Sequence, residues 1–125
     1  MNNPRKLLWG IIMAILLTAG WHVVKAESQP ATIKGYVLDS ACAFTKGLKK
    51  PISAECAVAC AKTGSPLVIL TDNGTIYWPI SDATPAQGQN DRLMEFAGKR
   101  VAVTGKVYQG GGSRAVVIAT IEALN

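Results

Sequence analysis

The dipeptide Asn73-Gly74 constrains this chain more than any other feature, because it leaves two β-forming runs only a tight turn to join them. Leu67 to Thr71 is an apolar strand, and Thr75 to Ser81 (Thr-Ile-Tyr-Trp-Pro-Ile-Ser) is the strand that returns. Asn-Gly is the pair that a two-residue hairpin turn selects. In the returning strand Ile76, Trp78 and Ile80 share one face and Tyr77 takes the other, since successive side chains alternate. Pro79 has no N–H to give a ladder, so that strand ends there or lies at a sheet edge.

The same punctuation divides the rest. Thr32 to Ser40 is β-rich, with Gly35 suggesting a bulge or sharp bend and Asp39-Ser40 ending the run. Ala43 to Ile52 carries Lys46, Gly47, Lys49, Lys50 and Pro51 and reads as a solvated surface loop. Ser53 is a helix N-cap with Glu55 in the first turn; the helix runs over residues 54–63 and stops at Gly64, with Pro66 beyond. Asp82 to Asn90 is loop, and Asp91 to Ala97 is a short helix ended by Gly98. Arg100 to Tyr108 alternates, with Val101, Val103, Gly105 and Val107 on one face. Gly110-Gly111-Gly112 turns the chain into Arg114 to Ala123, where Val117, Ala119 and Ile121 share a face. The expected fold is therefore mainly β with one or two short helices, and five strands with a helix between the third and fourth match a small OB-like Greek-key barrel. Closure would also remove exposed strand edges. An open five-stranded sheet with one helix across it is the competing arrangement.

Ahead of this domain, Arg5 and Lys6 precede an uncharged apolar run from Leu7 to Gly20, and Val24-Lys25-Ala26 offers cleavage after Ala26. Residues 1–26 thus read as a secretory signal peptide, residues 27–31 as a linker, and residues 32–125 as the domain. The competing reading is an uncleaved inner-membrane anchor over residues 7–24, the only part expected to touch a membrane. Either way the domain is periplasmic or secreted, because the positive start stays inside. Of 13 basic residues Arg5, Lys6 and Lys25 leave with the signal, so 10 face 8 acidic ones and the exported part is only +2. That balance, together with export, argues against a nucleic-acid partner, even though Tyr36, Tyr77, Trp78 and Tyr108 could stack bases. The single histidine, His22, leaves too, which removes the usual general base and any Ser-His pair. The triple glycine lacks the Lys-Ser/Thr of a phosphate loop, and Asp72, Asp82 and Asp91 sit in turns and caps rather than as a hydrolytic pair. No catalytic residue is assigned, and the domain reads as non-enzymatic, its partner a protein or small ligand that the sequence does not specify.

All three cysteines, Cys42, Cys56 and Cys60, fall within one stretch. In an oxidising compartment a disulfide is the first expectation. Cys56 and Cys60 are four apart on one helix, about 5–6 Å between Cβ atoms, too far for an unstrained bridge. Each therefore meets Cys42 more readily than the other, and the antiparallel return of the chain favours Cys42–Cys60, with Cys42–Cys56 as the alternative. The first would close a loop worth roughly 3 kcal/mol on a chain-entropy account. Cys56 is then the spare thiol. Two other readings stay open. One is a copper or zinc site on Cys42, Cys56 and Cys60, with Asp39 or Glu55 completing the shell. The other is a thiol redox protein centred on Cys56, in the first helical turn.

Val37-Leu38-Asp39-Ser40-Ala41-Cys42, then Cys56-Ala57-Val58-Ala59-Cys60 and Gly64-Ser65-Pro66, and finally Gly98-Lys99-Arg100-Val101-Ala102-Val103-Thr104-Gly105, together form a pattern. It resembles a group of small exported bacterial proteins with Asp-Ser-x-Cys, Cys-Ala-x-x-Cys, Gly-x-Pro and a Gly-Lys-x-Val strand. The resemblance implies an OB-like β domain with no established reaction. Many members carry a histidine three residues before the cysteine pair, where this chain has Ser53.

Overall fold

A computed structural model describes residues 28–125. The expected signal peptide or anchor over residues 1–26 lies outside the described residues, and among the described residues no helix is long and apolar enough to cross a membrane.

Five strands close into a barrel: β1 (Gln29–Asp39), β2 (Leu67–Thr71), β3 (Ile76–Pro79), β4 (Arg100–Gly110) and β5 (Ser113–Ala123). Their order around the barrel is β1-β2-β3-β5-β4, with β3 and β5 parallel and the other pairs antiparallel. This is the OB-like Greek-key arrangement expected from the turn spacing. The β2–β3 hairpin turns over Asp72-Asn73-Gly74: the Gly74 N–H donates to the Thr71 carbonyl at 2.9 Å and the Thr71 N–H to the Thr75 carbonyl at 3.0 Å. Asp72-Asn73 thus form the centre and Gly74 takes the positive φ after them, a three-residue loop in place of the expected two-residue Asn-Gly turn. β3 ends at Pro79, as its missing N–H requires.

Two α-helices lie between β1 and β2: α1 (Ser40–Thr45) and α2 (Ala54–Lys62). A third, α3 (Asn90–Leu93), continues as a 3₁₀ turn over Met94–Phe96. The expectation of a loop from Ala43 onward is corrected by α1, whose last three residues are Ala43-Phe44-Thr45. Six residues are too few to show a helical period, and the helix is held instead by its cap and by packing. The predicted bulge at Gly35 is also corrected. Gly35 pairs in unbroken register with both Thr71 of β2 and Val101 of β4, so it marks the bend where β1 passes from one neighbour to the other.

The barrel interior is built from Ile33, Val37, Leu67, Ile69, Val101, Val103, Val116 and Ile118, closed at one end by Ala57 and Ala61 of α2 together with Leu93 and Ala97. A second cluster, Leu38, Ala43, Val68 and Leu70, lies on the outer face of β1 and β2 under α1. With both faces covered, Leu67 to Leu70 are all buried. The alternation in β3 follows the same division: Tyr77 packs inward, while Ile76 and Trp78 join the outer cluster.

In β5 the buried pair is Val116 and Ile118, not the expected Val117 and Ala119. Between Thr104↔Thr120 and Gly105↔Ile118 the register skips Ala119, a one-residue bulge. The bulge returns Ile121 to the barrel side, so a strict two-residue period misassigns the strand. Gly105 makes the bulge possible, since a Cβ there would collide with the Val117 carbonyl oxygen.

Candidate metal centre

Asp39 is the last residue of β1 and pairs with Leu67 at the start of β2, so the strand delivers it into a covered corner. There its backbone turns into α1, and its Oδ2 accepts from the Cys42 N–H at 3.2 Å as the helix N-cap. The residue is 1% exposed, the one buried charged side chain among the described residues. Its other oxygen, Oδ1, is fully enclosed and has no partner at hydrogen-bonding geometry.

α2 brings two sulfurs to that carboxylate. Ser53 caps it, with Oγ accepting from the Cys56 N–H at 3.2 Å, and Glu55 lies in the first turn. The helix buries Ala57 and Ala61, and Cys56 and Cys60, one position before each, are half-buried beside them. At its end Ser65 N–H donates to the Cys60 carbonyl at 3.1 Å and Gly64 N–H to the Ala61 carbonyl at 3.0 Å, the double bond pattern of a Schellman stop.

Two further contacts fix where α2 lies. Gly98 sits under its first residue, at φ +76°, and a Cβ at that position would be 2.6 Å from the Ala54 Cα. Asn90 clamps the other end. Its Nδ2 donates to the carbonyls of Ala61 (3.2 Å) and Ser65 (2.8 Å), while its Oδ1 accepts from the Leu67 N–H at 2.8 Å.

The result is a compact donor set. One oxygen of Asp39 and the sulfurs of Cys56 and Cys60 all lie within 4.8 Å of one another. The Cys42 sulfur, on α1, lies outside that set but interacts with the same carboxylate and with Cys56. An interaction of its thiol with the Asp39 carboxylate, followed by burial, pushes its pKa up to about 11. Partial burial, then the charge of Asp39 and the neighbouring Cys56, raises that of Cys60, and Lys46 opposes the rise at both. A cavity of about 40 Å³ opens beside the cluster, lined by Asp39, Cys42, Cys56, Lys46 and Lys50. That is room for an ion or a water or two.

All three cysteines are free thiols, so neither the Cys42–Cys60 bridge nor the Cys42–Cys56 alternative is formed in the structure. Cys42 and Cys60 both feel Asp39 and Cys56. Cys56, expected as the spare thiol, is instead their shared neighbour. Glu55 is exposed and outside the donor set. Asn90, which positions α2, carried no functional signal in the sequence because it acts across 23 to 29 positions of chain. Lys46 and Lys50, which line the cavity, belong to a stretch that reads as solvated loop.

Comparisons with family models, curated proteins and solved structures give no match.

Proposed function

We propose that this domain is a metal-binding accessory protein, exported by residues 1–26. It would hold one thiophilic ion, copper or zinc, on the thiolates of Cys42, Cys56 and Cys60 with Asp39 as the fourth donor. It catalyses no reaction of its own in this reading; the ion is the ligand.

The observation that carries the reading is a buried Asp39 carboxylate, its Oδ1 enclosed and unpartnered, within 4.8 Å of two sulfurs. A buried acceptor without a partner costs about 1–3 kcal/mol, and more if it is charged. A cation among the donors removes that cost and reverses the electrostatics that now hold the Cys42 and Cys60 thiols in their protonated forms. Bound thiolates would also withstand the oxidising compartment to which the N-terminus points, where free ones form disulfides. The redox reading centred on Cys56 has no comparable observation behind it.

The test is metal analysis and thiol counting on the full chain, purified under reducing, oxygen-free conditions. One ion per chain is expected, with all three cysteines protected from alkylation until a chelator is added. Reduced protein that takes up neither copper nor zinc stoichiometrically would refute the proposal.

A further inference from the structure

Resting on the metal-binding reading, we infer that the centre is built for zinc(II) rather than copper(I), and that Asp39 is the residue that makes the selection. The donor set supplies the first reason. Copper(I) is satisfied by soft thiolates and has little use for a carboxylate. Zinc(II) accepts sulfur and carboxylate oxygen together and closes a structural site at four ligands. Here the sulfurs of Cys56 and Cys60 gather around the Asp39 carboxylate, with Cys42 beside it, and because Oδ2 of Asp39 is committed to the Cys42 N–H only Oδ1 is free. One oxygen is also far too few for calcium or magnesium, which need six or more oxygen ligands.

Charge supplies the second reason. Three thiolates and a carboxylate carry four negative charges. A divalent ion leaves two and a monovalent ion leaves three, in a half-buried corner where net charge is costly. The cavity beside the cluster is lined by two cations, Lys46 and Lys50, which match the divalent remainder. A carboxylate kept in a covered corner without a partner is a liability for a site that needs only sulfur. For a zinc site it is the fourth ligand.

Asp39→Asn separates these roles. The amide oxygen can still accept from the Cys42 N–H, so the cap of α1 is kept, while the anionic donor is lost. Asp39→Ser, another good N-cap, is the second variant should the amide disturb folding. Metal-free melting curves check that each variant is folded; neither should be less stable than the parent by more than about 1 kcal/mol, since a good cap is retained. Affinities are measured on the reduced full chain by competition, zinc(II) against one chromophoric chelator and copper(I) against another.

Losing even an outer-shell partner costs roughly 10–100-fold in metal affinity, so loss of this direct ligand is expected to weaken zinc at least that much. Copper(I) affinity should stay within about 3-fold, a difference of under 1 kcal/mol. Unchanged zinc affinity in both variants, or an equal loss of both ions, would overturn the role given to Asp39. A parent chain that binds copper(I) but not zinc(II) would overturn the choice of ion while leaving the metal site standing. Binding of neither ion would remove the site altogether.

Discussion

Asn90→Ala tests how the candidate metal centre is held in place without touching it. The side chain ties the end of α2 to the start of β2 through three hydrogen bonds, at 2.8, 2.8 and 3.2 Å. Truncation leaves the Leu67 N–H without a partner, in a residue only 2% exposed. Such an orphaned group costs about 1–3 kcal/mol. The Ala61 carbonyl keeps the Gly64 N–H, and the Ser65 carbonyl belongs to a half-buried residue that water can serve, so both add little. A loss of about 2 kcal/mol follows. In a domain of roughly 100 residues, 1 kcal/mol moves Tm by about 4–8 °C, so the midpoint should fall by about 8–16 °C. Thermal unfolding of reduced, metal-free protein followed by circular dichroism measures this directly. Asn90→Asp keeps the acceptor for Leu67 but puts an oxygen where the two donors stood, and should recover at most the Leu67 share. A drop in Tm under about 4 °C for Asn90→Ala would show that solvent replaces these bonds, and the picture of a clamp would be wrong.

Gly98→Ala should cost about 2–4 kcal/mol. It pairs a left-handed backbone conformation with a Cβ 2.6 Å from the Ala54 Cα, and α2 must shift to admit it. A urea midpoint within error of the parent would refute this. In metal-free protein at pH 8, Cys42 should alkylate slowly, because a pKa of about 11 against an ordinary 9.0 leaves roughly 100-fold less thiolate. The sign follows from the carboxylate beside it, which favours the protonated thiol. The rate should therefore keep rising with pH toward about 11, and Asp39→Asn should speed labelling at pH 8 by about 10-fold or more. Peptide mapping after timed iodoacetamide treatment reads both effects, and Cys42 labelling as fast as in denatured protein would contradict them.

Where structure is set by neighbours in sequence, it was legible. Asn73-Gly74 announced the hairpin, and Ser53 with Gly64 bracketed α2 to within a residue of its observed end. Asp39, Cys42, Cys56 and Cys60 could be grouped as donors before any coordinates, because a helix and a strand end were enough to bring them near one another. What stayed hidden depends on contacts distant in sequence. α1 exists because Asp39 caps it and Ala43 finds Leu38, Val68 and Leu70 beneath it. The facing of β5 is decided by a skipped residue opposite Gly105, which no alternation pattern within β5 contains. The unpartnered oxygen of Asp39 is a property of the folded corner, and the same Asp-Ser pair in an open turn would be bathed in water.

β1 begins at Gln29, against Val107, and ends at Asp39. An eleven-residue strand is on the order of 30 Å long, so its two ends lie on opposite sides of this small barrel. Whatever precedes Gln29 therefore joins the domain at the pole opposite the cysteine-lined corner, and can be changed without crowding it.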